Sequence, residues 1–183
     1  INGQRQVGSA FKPFVYATAL QQGTPTSKLL ADEPLRVQTT HRVVWEPRNY
    51  DGQFFGQVSM RAALVDSRNI PTIRLADEVG LANVKATAQK AGFTGTIEEH
   101  PAMALGTVSS NPLELARAYS VFAGLGTPPE PRYISRVEDE KGELLWEIES
   151  KVETERMDPR VAYIVTHMLR DAVDRGTGAN VRA

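Results

Sequence analysis

The sequence predicts a mostly helical domain that carries one β-hairpin and lacks the strands for a central sheet. Two observations support this prediction. Apolar residues recur at helical spacing in several segments between residues 9 and 176. Polarity alternates along Tyr133–Val137 and Leu144–Ile148, and the Gly-containing stretch Asp139–Gly142 between them is typical of a hairpin turn. The chain shows no internal repeat or low-complexity tract.

Cap residues set the expected ends of the helices. Ser59 is a predicted N-cap, Asn111-Pro112 combines an N-cap with proline at the first helical position, and Asp158-Pro159 repeats that pattern. Gly23, Gly92 and Gly176 are expected stops. The helices are therefore predicted over residues 9–22, 60–65, 72–79, 82–91, 112–123 and 159–175.

The rest of the chain is predicted to be irregular. Leu35–Thr39 and Arg42–Trp45 are expected to form short extended pieces, and Asp66–Asn69 is a polar run that predicts a turn. Trp146 on the hairpin is expected to lie in the core or at an interface. Trp45 and Tyr50 are expected to pack their loop, and the alternative is that they line a cleft.

Composition excludes several classes of function. The 183 residues include 21 basic and 22 acidic side chains, so the net charge of −1 does not favour nucleic acid or a membrane surface as a partner. The absence of cysteine excludes disulfides, thiolate metal sites and a cysteine nucleophile. His41, His100 and His167 lack ligand spacing, so no metal and no cofactor are expected.

Ser9 and Lys12 form the first candidate site. On a helix, residues three apart lie on one face with Cβ atoms roughly 5–6 Å apart. A serine is a weak nucleophile that a desolvated amine can activate, so Lys12 could accept the proton of Ser9. The spacing alone also fits a plain N-cap serine.

Ser67 and Asn69 form the second candidate site. A hydroxyl and an amide on a turn between helices can point into one cleft, where the hydroxyl relays protons and the amide binds a peptide carbonyl. Taken alone, the same residues fit a helix cap.

Together with further stretches in the same order, these motifs are similar to one known family. The chain resembles the transpeptidase domain of class A penicillin-binding proteins, which are bifunctional peptidoglycan synthases. The resembling stretches are Arg5–Tyr16, Trp45–Gly52, Gly56–Asn69, Ala104–Gly106, Leu113–Tyr119 and Arg175–Gly178.

The resemblance implies an α/β serine transpeptidase fold of the penicillin-binding and β-lactamase-like type. The chain would contain mainly its helical part and a β-hairpin, with the central sheet largely outside. By the same resemblance, Ser9 would be the nucleophile that is acylated by D-Ala-D-Ala stem peptides or β-lactams, and Lys12 its base. Ser67 would relay a proton to the leaving amine, and Asn69 would hold the substrate's backbone carbonyl.

The resemblance also implies partners and a location. Peptidoglycan stem peptides and β-lactam antibiotics would bind, and an upstream glycosyltransferase domain would belong to the same protein. The protein would act in the periplasm, on the extracytoplasmic face of a bacterial inner membrane, anchored by a segment that is not in this chain.

One departure from the family pattern is the absence of its third motif, Lys-Thr-Gly. Arg175-Gly176-Thr177-Gly178 has Gly176 where that motif needs a cation, and it matches instead a separate Gly-Thr-Gly that precedes the third motif. Residues 1–183 are therefore expected to be a partial transpeptidase domain that starts just before Ser-x-x-Lys and ends before the Lys-Thr-Gly strand. We expect this chain alone to be acylated slowly or not at all.

Two alternatives remain at this stage. A serine β-lactamase-like hydrolase shares Ser-x-x-Lys, but it has Asp where this chain has Arg68, and no segment here matches its deacylating glutamate. The other alternative is a non-catalytic penicillin-sensing or scaffold domain that keeps the fold and binds partners.

Overall fold

A computed structural model of the protein describes residues 3–38, 44–149 and 154–182. The helices are α1 (Lys12–Gln21), α2 (Met60–Val65), α3 (Asn69–Val79), α4 (Leu81–Ala91), α5 (Pro112–Ala123) and α6 (Pro159–Arg175), and 3-10 turns span Gly8–Phe11, Pro101–Leu105 and Ala179–Arg182. The strands are β1 (Arg5–Gln6), β2 (Leu29–Asp32), β3 (Val37–Gln38), β4 (Val44–Trp45), β5 (Gly56–Ser59), β6 (Ser109–Ser110), β7 (Arg136–Glu138) and β8 (Leu144–Glu147).

The strands form small antiparallel pairs rather than one sheet. The pairs are β1 with β6, β2 with β5, β3 with β4, and β7 with β8, and within the described ranges no sheet has more than two strands. This arrangement confirms the predicted helical domain with a hairpin at β7–β8. The β2–β5 pair was not predicted, because its strands are separated by an irregular stretch with no alternation of polarity.

Helix α1 lies at the centre of the domain. Its residues from Lys12 to Ala19 are all buried, and apart from Lys12 and Thr18 they are apolar or aromatic around the whole helix. Helices α3, α4 and α6 pack around it. The ring of Phe14 packs against Phe93 and Phe122 at centroid distances of 5.1 and 5.2 Å, so the central helix is fixed by aromatic contacts on the side of α5.

Local caps explain why three helices begin where the sequence predicted. The side chain of Ser59 accepts a hydrogen bond from the amide of Ala62 at 3.1 Å. Asn111 accepts from Glu114 N at 2.9 Å, and Asp158 from Arg160 N at 2.8 Å. Each bond satisfies an amide that has no partner within its helix.

Two expectations were wrong in part. Helix α3 begins at Asn69 rather than Thr72, so the predicted turn at 66–69 is one residue shorter. The strands of the β7–β8 hairpin are solvent-exposed along their whole length, and Trp146 is 48% exposed, so this tryptophan is not a core residue. Residues 39–43, which include His41 and parts of both predicted extended pieces, lie outside the described residues. None of the described helices is both long and apolar enough to span a bilayer.

A close backbone contact joins the loop before β6 to the start of α1. Gly8 N donates to Gly106 O at 3.0 Å, and Val7 N donates to Val108 O at 3.0 Å. Gly106 has φ +78°, and a Cβ built there would lie 1.9 Å from Gly8 O. Only glycine fits at this contact, which fixes the backbone directly before Ser9.

We expect Gly106→Ala to destabilise the protein by about 3 kcal/mol, because alanine must adopt a left-handed conformation and also displace the Gly8 backbone. Gly23→Ala is the matched control. Gly23 has φ +85° but no atom within 4 Å of its Cβ position, so only the conformational cost of about 1 kcal/mol should be seen. If both variants lose the same free energy of unfolding in urea denaturation, the predicted effect of the close contact at Gly106 is wrong.

Candidate active site

The side chain of Lys12 is buried at the first turn of α1 and surrounded by oxygen acceptors. It is 1% exposed. Its Nζ donates to Ser67 O at 2.6 Å, to Ser67 Oγ at 3.1 Å and to Asn69 Oδ1 at 2.7 Å. All three acceptors belong to Ser67 and Asn69, where α2 ends and α3 begins, so the two predicted motifs meet around one amine.

The surroundings of Lys12 make its charged form less favourable than in water. Burial, with a further contribution from the positive charge of Arg68, lowers the pKa of Lys12 to about 8. As an ammonium, the side chain uses all three of its N–H donors on the three oxygens. Loss of one proton leaves two donors and a lone pair, which makes Nζ a proton acceptor near neutral pH.

Ser9 is an exposed residue in the 3-10 turn that precedes α1, as predicted for a residue at a helix start. The turn is held on both sides. Gly106 binds the backbone of Gly8, and the hydroxyl of Tyr119 donates to Ala10 O at 2.7 Å. Burial raises the pKa of Tyr119 to about 12, so its hydroxyl stays protonated and can donate.

Ser9 shares a cavity of about 460 Å³ with Ser67 and Asn69. The structure therefore brings the two hydroxyls and the amide to one cleft, with the nitrogen of Lys12 bound to Ser67 and Asn69. The four residues that the sequence singled out lie together.

Ser67 adopts an unusual backbone conformation. Its φ is +51°, in the left-handed region that few residues other than glycine adopt. Ser67 N donates to Leu64 O at 3.0 Å, and Arg68 N donates to Ala63 O at 2.8 Å. These bonds fold the chain back at the end of α2 and turn the carbonyl and hydroxyl of Ser67 toward Lys12.

Asn69 is held from both its backbone and its side chain. Its amide N donates to Asn49 Oδ1 at 2.8 Å, and its Nδ2 donates to Arg48 O at 2.8 Å. Asn49 also accepts from Ile70 N at 3.2 Å, so its side chain caps the start of α3. Asn49 lies in Trp45–Gly52, one of the stretches that resemble the family, but no role for its side chain was predicted.

Other residues of the cavity wall were not predicted as site residues. These are Asn49, Tyr50, Asp51, Asp66, Arg68 and Thr177. Tyr50 is fully exposed at this wall, so the expectation that it packs its loop was wrong. Thr177 follows α6 and donates its amide to Val65 O at 3.3 Å, which places the Gly176-Thr177-Gly178 stretch beside the end of α2.

The cavity offers no obvious set of metal ligands. In the part of the chain that the structure describes, no three His, Asp or Glu side chains cluster in a way that could hold an ion. The chemistry available among these residues is that of two hydroxyls, an amide and an amine with a lowered pKa.

Comparison with known proteins identifies the family. The family model described as the penicillin-binding protein transpeptidase domain matches residues 1–183. Penicillin-binding protein 1A of Neisseria meningitidis is 35% identical over the whole chain, and penicillin-binding protein 1B of Vibrio cholerae is 34% identical. The chain spans about a quarter of the length of these relatives, 24% in both cases.

Solved structures share the fold. The crystal structure of penicillin-binding protein 1A from Haemophilus influenzae covers 98% of this chain, with a TM-score of 0.90 and 28% identity, while the chain covers 32% of that protein. The structure of penicillin-binding protein A from Mycobacterium tuberculosis, in an imipenem acyl-enzyme complex, covers 93% of this chain with a TM-score of 0.82. The sequence identity is 20%, and this chain covers 44% of that protein. Because the family model matches all 183 residues, the chain belongs to the transpeptidase-domain family of the penicillin-binding proteins.

Proposed function

We propose that this chain carries the acyl-serine centre of a peptidoglycan D,D-transpeptidase, with Ser9 as nucleophile and Lys12 as its base. The observation that carries this proposal is the burial of Lys12 against Ser67 and Asn69, at a cleft that also contains Ser9. Membership of the transpeptidase family supports the same chemistry.

In the first step, the neutral amine of Lys12 accepts the proton of Ser9. The Oγ of Ser9 then forms an ester bond with the carbonyl carbon of the penultimate D-alanine, and the bond to the terminal D-alanine breaks. With a β-lactam, the amide bond of the ring breaks instead. Because the pKa of Lys12 is about 8, a useful fraction of the amine is neutral near physiological pH.

Ser67 is suited to carry a proton to the leaving amine. Its Oγ lies 3.1 Å from Nζ of Lys12, which is the longest of the three contacts of that nitrogen. Once Lys12 has lost a proton, the hydroxyl can donate to the lone pair of Nζ instead of accepting from it. A hydroxyl that can reverse its hydrogen bond in this way can pass a proton between Lys12 and the leaving group.

Asn69 keeps one donor for the substrate. Its Oδ1 is bound by Lys12, and one N–H of its amide is used on Arg48 O. The second N–H can donate to a backbone carbonyl of the stem peptide. The acyl group then passes from Ser9 to an amine of a neighbouring strand, which forms a cross-link and frees the hydroxyl.

This chemistry sets the expected partners and location of the intact protein. Peptidoglycan stem peptides are the proposed substrates and β-lactams the proposed inhibitors, and their site of action is the periplasm. The relatives are about four times as long as this chain, since it covers 24% of them. An upstream glycosyltransferase domain and a membrane anchor in the intact protein are part of the proposal.

The two alternatives are less well supported. Relatives of the chain carry the name penicillin-binding protein, and Arg68 replaces the Asp that a β-lactamase would have between Ser67 and Asn69. A purely scaffolding domain would not need a buried amine with a lowered pKa beside two hydroxyls.

Replacement of Ser9 tests the nucleophile. We expect Ser9→Ala in the intact protein to abolish labelling by a fluorescent penicillin, because no oxygen remains to form the ester. Ser27→Ala, which removes an exposed hydroxyl in the turn before β2 that does not line the cavity, should be labelled like the wild type. Labelling of Ser9→Ala at the wild-type rate would exclude Ser9 as the acylated residue.

The pH dependence of acylation tests the base. The rate should rise as Lys12 loses its proton, with a midpoint near the Lys12 pKa of about 8, and level off above pH 9. Lys12→Arg should lower the rate by at least about 10³, since a guanidinium does not deprotonate in this range. A rate that stays constant from pH 6 to 10 would contradict the assignment.

The isolated 183-residue chain tests the need for a third motif. Its sequence contains no Lys-Thr-Gly, so by the resemblance it lacks a cation for the substrate carboxylate and one backbone donor for the oxyanion. Loss of one such donor costs about 10²–10³ in rate, and we expect at least this deficit relative to the intact protein. Rapid stoichiometric labelling of the isolated chain would show that these groups are dispensable.

A further inference from the structure

The residue between Ser67 and Asn69 makes a dense set of buried contacts of its own. Arg68 is 5% exposed. Its Nε and one terminal nitrogen bind Asp32 Oδ2 at 2.9 and 2.8 Å, and its other terminal nitrogen binds Asp51 Oδ2 at 2.6 Å. The guanidinium also donates to Gln53 O at 2.5 Å and lies 4.2 Å from the ring centre of Phe55.

Asp32, at the end of β2, connects these contacts to the start of α3. It has no exposed surface, and both of its oxygens are used. Oδ2 accepts from Arg68 and from Phe55 N at 3.2 Å, whereas Oδ1 accepts from Asn49 Nδ2 at 2.6 Å. Asn49 in turn binds the amide of Asn69. One carboxylate therefore holds the residue before Asn69 and the side chain that caps its helix.

The backbone of Ser67 needs contacts that hold it in its unfavourable conformation. Ser67 has a φ of +51°, and a residue other than glycine in that region costs about 1 kcal/mol or more unless its surroundings hold it there. Arg68 is the next residue, and its guanidinium is fixed by contacts from three sides. With Arg68 fixed, the carbonyl and hydroxyl of Ser67 and the amide of Asn69 keep the positions in which they meet Lys12.

We propose, on the basis of the function proposed above, that Asp32 and Arg68 are positioning residues for acylation. Their buried ion pair fixes the turn from Ser67 to Asn69 so that three oxygens of this turn converge on Nζ of Lys12. Neither residue contacts the reacting atoms. Their effect passes through the geometry of the turn and through the charge that they place near Lys12.

The charge of the pair matters because Lys12 and Arg68 are two buried cations on neighbouring elements. The charged group that acts directly on Lys12 is Arg68. Asp32 at the end of β2 and Asp51 in the loop after β4 bind Arg68, Asp66 at the end of α2 lines the same cavity, and Tyr16 lies one helical turn after Lys12 on α1. The positive charge of Arg68 lowers the pKa of Lys12. Asp32 binds the guanidinium directly at 2.8 Å, so we expect its negative charge to oppose the effect of Arg68 on Lys12.

Three variants of the intact protein separate charge from geometry, with the rate of acylation by a fluorescent penicillin measured from pH 6 to 10. Asp32→Asn removes the anion at nearly constant volume. We expect its maximal rate to fall about tenfold to a hundredfold, because misplacement of catalytic groups by about 1 Å has that effect. The midpoint of its pH profile should fall by about one unit, because the charge of Arg68 is then uncompensated.

Arg68→Lys keeps the charge but not the geometry of the guanidinium. Its maximal rate should fall severalfold or more while the midpoint stays near that of the wild type. The double variant Asp32→Asn with Arg68→Met removes both charges. Its midpoint should return toward that of the wild type, whereas its maximal rate should stay low.

Glu114→Gln is the matched control, because Glu114 is also a buried carboxylate. It holds Thr94 and Ser110 rather than the turn at Ser67. This variant should lose stability but keep the wild-type midpoint and the wild-type rate per active site, with active sites counted from the amount of label at completion. Even if Asp32→Asn does not fold, Arg68→Lys and the double variant still test the proposal.

The outcomes distinguish the two proposals. A wild-type protein that is not acylated would contradict the proposed function itself. If the wild type is acylated but Asp32→Asn and Arg68→Lys keep the wild-type rate per active site and midpoint, as Glu114→Gln should, then the ion pair is only structural and this inference is wrong. A lower rate in both variants, with the midpoint lowered in Asp32→Asn alone, supports it.

Discussion

The burial of one amine is the constraint on which the site depends. Lys12 is taken out of water at the start of the central helix, and its ammonium group donates to three oxygens of Ser67 and Asn69, where α2 ends and α3 begins. A buried ammonium without such acceptors would be strongly unfavourable. The three acceptors stabilise the ammonium form, but burial still lowers the pKa of Lys12 to about 8. The same burial therefore allows the amine to accept a proton near neutral pH.

Elements far apart in sequence are needed to satisfy this constraint. The loop at Gly106 fixes the backbone before Ser9, β2 supplies Asp32, the loop after β4 supplies Asn49, and α5 supplies the hydroxyl of Tyr119. Each of them restrains the turn of Ser9 or the turn of Ser67. The β1–β6 and β2–β5 pairs thus support the turns of Ser9 and Ser67 at the start of α1.

The parts that could be predicted from sequence are those with local causes. Ser59, Asn111 and Asp158 cap helices through bonds to amides two or three residues away, so the cap pattern alone places the starts of α2, α5 and α6. The grouping of the four candidate residues followed from spacing joined to family resemblance. Asp32 and Asn49 could not be found in this way, because their partners lie about 20 to 36 positions away and a single Asp or Asn in a loop is a common residue. The start of α3 at Asn69, which shortens the predicted turn, also depends on a distant contact, the cap from Asn49.

The ionisation of Lys12 is the most direct test of this account. The chain has six lysines, so with ¹³C at the ε-carbon their resonances can be followed by NMR through a pH titration, and the Lys12→Arg variant assigns the signal of Lys12. The account predicts a midpoint near pH 8 for Lys12, well below the value of about 10.4 for a lysine side chain in water. A midpoint for Lys12 near 10.4 would mean that the amine is not desolvated, and would contradict its proposed role as the base.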